Sequence, residues 1–120
     1  MRNSKLPGFM DRHGGPSTEY NVPVHTQEAL EHYLISGFQP GGFLSSMLAM
    51  NMERAVYNAD VANKQAFVSI ARWIIEYAPK ASWGSYQAID DWCADKDGRR
   101  TKYGTNIEKE YVARVLKEGV

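Results

Sequence analysis

Apolar side chains recur at three- and four-residue spacing through most of this chain, and the alternation that builds a strand is confined to a weak hint near its start. Thr26 offers an N-cap oxygen, Glu28 complements the first-turn dipole, and Leu30, Tyr33 and Leu34 share one face before Gly37 stops the helix. After Pro40-Gly41-Gly42, a second helix is predicted from Phe43, with Leu44, Met47, Leu48, Asn51, Ala55 and Ala59 in its stripe and only Asn51 out of character. Asp60 predicts the N-cap of a third helix, with Asn63 placed to bond back. There Phe67, Val68, Ala71, Ile74, Ile75 and Ala78 form one face, widened by Ile70, Trp73 and Tyr77, so the segment from Asn63 to Ala78 is expected to be the buried central element. Pro79 sets its end at Ala78. Ser85 opens a fourth helix carrying Ile89, Trp92 and Cys93 that closes near Asp97-Gly98. Thr105 and Glu108 read as the capping box of a fifth, with Ile107, Tyr111, Val115 and Leu116 on its apolar face.

Residues 1–25 contain Pro7, Gly8, Gly14, Gly15, Pro16 and Pro23, so no helix runs through them. Leu6, Phe9, Met10, Tyr20, Val22 and Val24 leave two readings of this arm: docked on a neighbour, with Thr18 to Val24 extended, or disordered. The expected fold is therefore all-α, a compact bundle of four to five short helices spanning 26–120 with an irregular N-terminal arm at 1–25.

The 120 residues amount to one domain, and 43% apolar with 23% charged side chains is an ordinary globular balance. Fourteen basic side chains cancel fourteen acidic ones, which argues against nucleic acid as partner. One cysteine excludes an intrachain disulfide. No apolar run reaches the roughly 18 residues that span a bilayer, and Met1 to Asp11 lacks a signal-peptide core. A soluble cytosolic protein without membrane contact is expected.

Known chemistries fit poorly. His13, His25 and His32 lack zinc-site spacing, and Asp95-Lys96-Asp97-Gly98 fails as a calcium loop because the first ligand position falls on Cys93 and the closing one on Gly104. No metal and no cofactor is expected. Cys93 lies on an apolar face and reads as an inert thiol, while the adjacent Asp90 and Asp91 diverge by about 100° on a helix and form no acid/base pair. Two features survive. Gly41 and Gly42 precede a helix and either make a tight interhelix turn or leave its free N–H groups to receive an anion, and Trp83 stands at a helix junction where it plugs the core or stacks on a ligand. Residues 96–120 carry seven basic and four acidic side chains, with Arg99, Arg100 and Lys102 in a predicted loop that is either a solvated tip or a contact for phosphates.

Taken together, Pro40-Gly41-Gly42-Phe43-Leu44, Leu48, Ala55, Ala59-Asp60, Asn63, Trp73, Pro79 and Trp83-Gly84-Ser85 resemble a family of small, functionally uncharacterised proteins encoded by bacteriophages and prophages. The resemblance covers about Tyr33 to Trp92 and implies origin more than activity. Such proteins typically carry Asn-Asp-Leu where this chain has Met50-Asn51-Met52, so a carboxylate is replaced by the Asn51 amide. By analogy with phage accessory proteins, the expected function is non-enzymatic: stoichiometric binding in the host cytoplasm that antagonises a host defence system, through a host protein or by sequestering a small anionic nucleotide-like ligand, with homo-oligomer formation. The candidate contact residues are Gly41, Gly42, Asn51, Asp60, Asn63, Trp83, Arg99 and Arg100. The alternatives are a minor virion structural protein and a small enzyme using Asp60, or Glu53 beside Tyr57, as acid/base.

Overall fold

The computed structural model describes Leu6 and residues 21–118. Among these, the chain forms seven α-helices and no strand: α1 (Val24–Ser36), α2 (Gly42–Leu48), α3 (Met52–Asn58), α4 (Val61–Gln65), α5 (Phe67–Tyr77), α6 (Tyr86–Cys93) and α7 (Arg99–Glu118). Short 3₁₀ turns at Lys80–Ser82 and Lys96–Gly98 precede α6 and α7. The class is all-α, as the periodicity requires. Most of the expected arm lies outside the described residues, although Leu6 and Val22 are buried in the core.

The helix count exceeds expectation because two predicted helices each divide. Met50 adopts φ 62°, a left-handed conformation that no α-helix tolerates, and Asn51 then caps α3 by accepting a hydrogen bond from the Arg54 N–H. The residue that seemed to break a stripe is thus a helix start. The second division is milder: Ala66, at φ −99° and ψ 10°, kinks the chain between α4 and α5 while its N–H still donates to the Ala62 carbonyl. Asp60 caps α4 as predicted, accepting from the Asn63 N–H at 2.8 Å.

Helix starts elsewhere follow tertiary context. α1 begins at Val24, inside the expected arm, and Thr26 caps nothing; it is buried, and its hydroxyl donates to Asn63 Oδ1 across 2.6 Å. Asn63 spends its side chain on this contact instead of bonding back to Asp60. α7 begins six residues before Thr105, whose hydroxyl donates to the Thr101 carbonyl within the helix, so there is no capping box there. Its cap is Asp95, whose carboxylate accepts from the backbone N–H groups of Arg100 and Thr101 at 2.9 and 3.0 Å and from the Thr101 hydroxyl. These bonds, Thr101's first, hold the Asp95 carboxyl below its ordinary range. The stabilisation is therefore complete above the unfolded value of about 3.8 and disappears as pH falls through the folded one. Asp95→Asn is expected to lower Tm at neutral pH, with the gap to the parent closing in acid. A gap that stays constant with pH, followed by circular dichroism, would contradict this.

The core is assembled around α1 and α6. Leu30, Tyr33 and Leu34 of α1 meet Ile89 and Trp92 of α6, with Leu48, Ile70, Trp73 and Ile74 closing the cluster. Trp92 lies between Tyr33 and Tyr103, with ring centroids 6.4 and 5.7 Å away. The Tyr33 phenol donates to the Ser82 carbonyl at 2.7 Å, and burial pushes its pKa up, as it does for Tyr103. α5 is not the enclosed element its composition suggests. Ile70, Trp73 and Ile74 are fully buried, but Val68 and Ile75 are 69% and 56% exposed.

Candidate functional site

The exposed half of α5 faces the divided second helix. Ile75 and Ala71 of α5 surround a depression of about 80 Å³ together with Met50, Met52, Ala55, Met47 and Ser46. Val56, one turn beyond Met52, and Val68, two turns before Ile75, extend the apolar surface along both helices. All five large side chains at the surface, Met50, Met52, Val56, Val68 and Ile75, are at least 41% exposed. Monomeric domains normally scatter such residues instead of gathering them.

A polar edge adjoins this surface because α6 starts beside it. Ser85 caps α6 by accepting from the Ala88 N–H at 3.0 Å, which sets Tyr86 in the first turn. The Tyr86 phenol accepts from Asn51 Nδ2 at 3.1 Å. Ser46, whose hydroxyl also reaches the Gly42 carbonyl at 2.7 Å, bonds the same phenol. These bonds, Ser46's and then Asn51's, hold the phenol below its ordinary pKa, helped by the charge of Arg54. The surface therefore offers an apolar floor, thioether walls and a hydrogen-bonding rim.

The residues singled out from sequence do not converge. Gly41 is the N-cap of α2 and Gly42 its first residue, both exposed. Gly84 donates its N–H to the Leu48 carbonyl at the far end of α2, about 9 Å away at 1.5 Å per residue. Trp83 belongs to that far end: its indole N–H donates to the Ala78 carbonyl at 3.3 Å and the Lys80 ammonium sits 3.7 Å above its ring. Gly42 and the Trp83-Gly84 junction therefore stand at opposite ends of α2. Asp60 is occupied, one oxygen capping α4 and the other 3.4 Å from His25 Nε2, a contact that no sequence spacing announces.

The basic segment is also corrected, from a loop to the first turn of α7. Arg99 lies 3.3 Å from Asp97. Arg100 is half-buried, and its guanidinium donates to the carbonyls of Trp92, Ile35 and Cys93 at 3.2, 3.3 and 3.5 Å. It thereby serves carbonyls at the ends of α1 and α6, of which Trp92's also accepts from the Asp95 N–H. Gly37, at φ 76°, leaves it room, since a β-carbon there would stand 2.7 Å from the guanidinium. The Cys93 thiol, 3.6 Å from Gln39 Oε1, is pushed up by burial and by Asp90. Among the described residues no three His, Cys, Asp or Glu side chains gather as a metal site, and no helix is long and apolar enough to cross a membrane.

Comparison of the chain with protein-family models, curated proteins and solved structures finds no match. The site is read from its own geometry.

That geometry gives architectural work to residues that stood out in the sequence. Asp60, Asn51 and Ser85 are helix caps, Gly84 occupies φ 113°, and Asn63 anchors Thr26. Position 50 is left-handed and position 51 is an N-cap. Asn suits the first place, and Asn or Asp the second. Met50→Asn is accordingly expected to relieve backbone strain of about 1 kcal/mol and raise Tm. A fall in Tm would mean that Met50's apolar contacts outweigh that relief.

Proposed function

We propose that this chain is a phage-type accessory protein that works by stoichiometric binding, gripping a host protein with the apolar face of α3 and α5. The observation that carries the reading is the exposed apolar surface in which Met50, Met52 and Ile75 line one depression and Val56 and Val68 continue along the same two helices. Methionine adapts its shape to a partner, and the tyrosine and arginine at the rim are residue types enriched where proteins meet. At about 80 Å³ the depression matches a single aliphatic side chain of a partner; small-molecule sites run to roughly 300 Å³ or more. That size favours a protein over a nucleotide-like ligand, as does the commitment of Arg100 to backbone carbonyls.

The phage origin and the antagonism of a host defence in the host cytoplasm rest on the family resemblance. Binding without turnover fits a chain whose Asp60 is engaged on both oxygens. The test is affinity capture from a host lysate with the parent chain and with Ile75→Glu, followed by calorimetry on the purified partner. A saturable complex of fixed stoichiometry, lost in the variant, is expected. A partner retained equally by both chains, or a nucleotide that raises Tm equally in both, would sink the reading.

A further inference from the structure

α7 carries a second surface, remote in sequence from the α3–α5 face. Its 20 residues extend about 30 Å at 1.5 Å per residue. Tyr103 and the buried Ile107 fasten its first half to the core, whereas Val112 and Leu116 further along are 46% and 63% exposed. These two side chains lie in an open groove of about 770 Å³ that runs along one face of α7 to Ile35 at the end of α1.

We propose that the groove is filled by α7 of a second copy of this chain, packed antiparallel about a two-fold axis between Glu108 and Lys109. The argument is self-complementarity. An isologous interface needs each lining residue to meet a suitable residue from the same set. About that axis Glu108 faces Lys109 of the second copy and Lys109 faces its Glu108, two opposite-charge pairs from one patch. Gly104 faces Ala113, so the backbones can approach closely. Among the described residues, a β-carbon at Gly104 would meet no atom within 4 Å beyond its chain neighbours and its own helix backbone, and the space is open to a neighbour. Thr105 faces Val112. Thr101 faces Leu116, which lands beside Ile35, itself held to the start of α7 by the bond from Arg100 to its carbonyl. These eight residues all line the groove; the ninth α7 residue there, Arg100, would face Lys117 in this register, and its guanidinium is instead held by the Trp92, Ile35 and Cys93 carbonyls of its own chain. Antiparallel pairing also sets the positive end of each helix against the negative end of its partner. A helix of unrelated sequence would have to supply this charge order and this small-to-large order independently, whereas a second copy supplies both.

This pairing uses neither α3 nor α5, so it does not depend on the proposed host contact. The experiment is sedimentation equilibrium of the full chain over a wide concentration range. The parent is expected to reach twice the chain mass. Lys109→Glu, which turns both charge pairs repulsive, is expected to weaken association at least tenfold, and the double variant Glu108→Lys/Lys109→Glu to restore it, because the reversed pairs are again opposite. Gly104→Leu is expected to weaken association tenfold or more without loss of helicity or Tm, since its own chain leaves the position open. A parent that stays monomeric throughout overturns the proposal. So does a dimer that the double variant fails to restore, or one indifferent to Gly104→Leu.

Discussion

Replacing Ile74 by alanine is expected to destabilise the protein by about 2 to 5 kcal/mol, whereas the same change at Ile75 is expected to cost about 0.5 kcal/mol or less. The two isoleucines are adjacent in one helix. Ile74 is fully buried beside Trp73 and Ile70, and deleting its branch leaves a cavity that close-packed neighbours fill only in part. Ile75, 56% exposed, already faces solvent. Urea unfolding of the two variants measures both numbers. Equal destabilisation would show that α5 has been assigned the wrong inner face.

The second large effect is on binding. Ile75→Glu is expected to weaken the host-partner complex by about 100-fold, close to 2.7 kcal/mol, because a charge introduced into an apolar contact has no partner and must be desolvated. Tm is expected to change little, since the side chain is already half in water. Asp60→Asn, away from this face, is the control that should leave affinity unchanged. Calorimetry decides it: parent-like affinity in Ile75→Glu would remove the α3–α5 face from the interface.

The candidate site was only half legible in the sequence. Asn51 was visible as an anomaly in an apolar stripe, and it does border the site, but as a helix cap that also bonds Tyr86. Ile75 looked like core because periodicity distinguishes apolar from polar faces and does not say which apolar face finds a neighbour, while Met50 and Met52 lay outside the predicted stripe. Arg100 looked like a phosphate ligand because a cationic head reads the same whether it will meet an anion or a backbone carbonyl. Its true partners lie on two other helices, and one of them, the Ile35 carbonyl, is 65 residues away.

By itself the sequence determined the all-α class, the capping of α4 by Asp60 and of α6 by Ser85, and the stops of α1 at Gly37 and of α5 before Pro79. Each follows from residues within a turn or two of one another, where side-chain oxygens, missing N–H groups and left-handed glycine act locally. Tertiary structure alone decided that Met50 turns left-handed, that Thr26 is spent on Asn63, and that the apolar arc of α5 stays partly uncovered. Those outcomes depend on which helices run out of neighbours, and in a bundle of helices this short, surface area is too large for every apolar side chain to find cover.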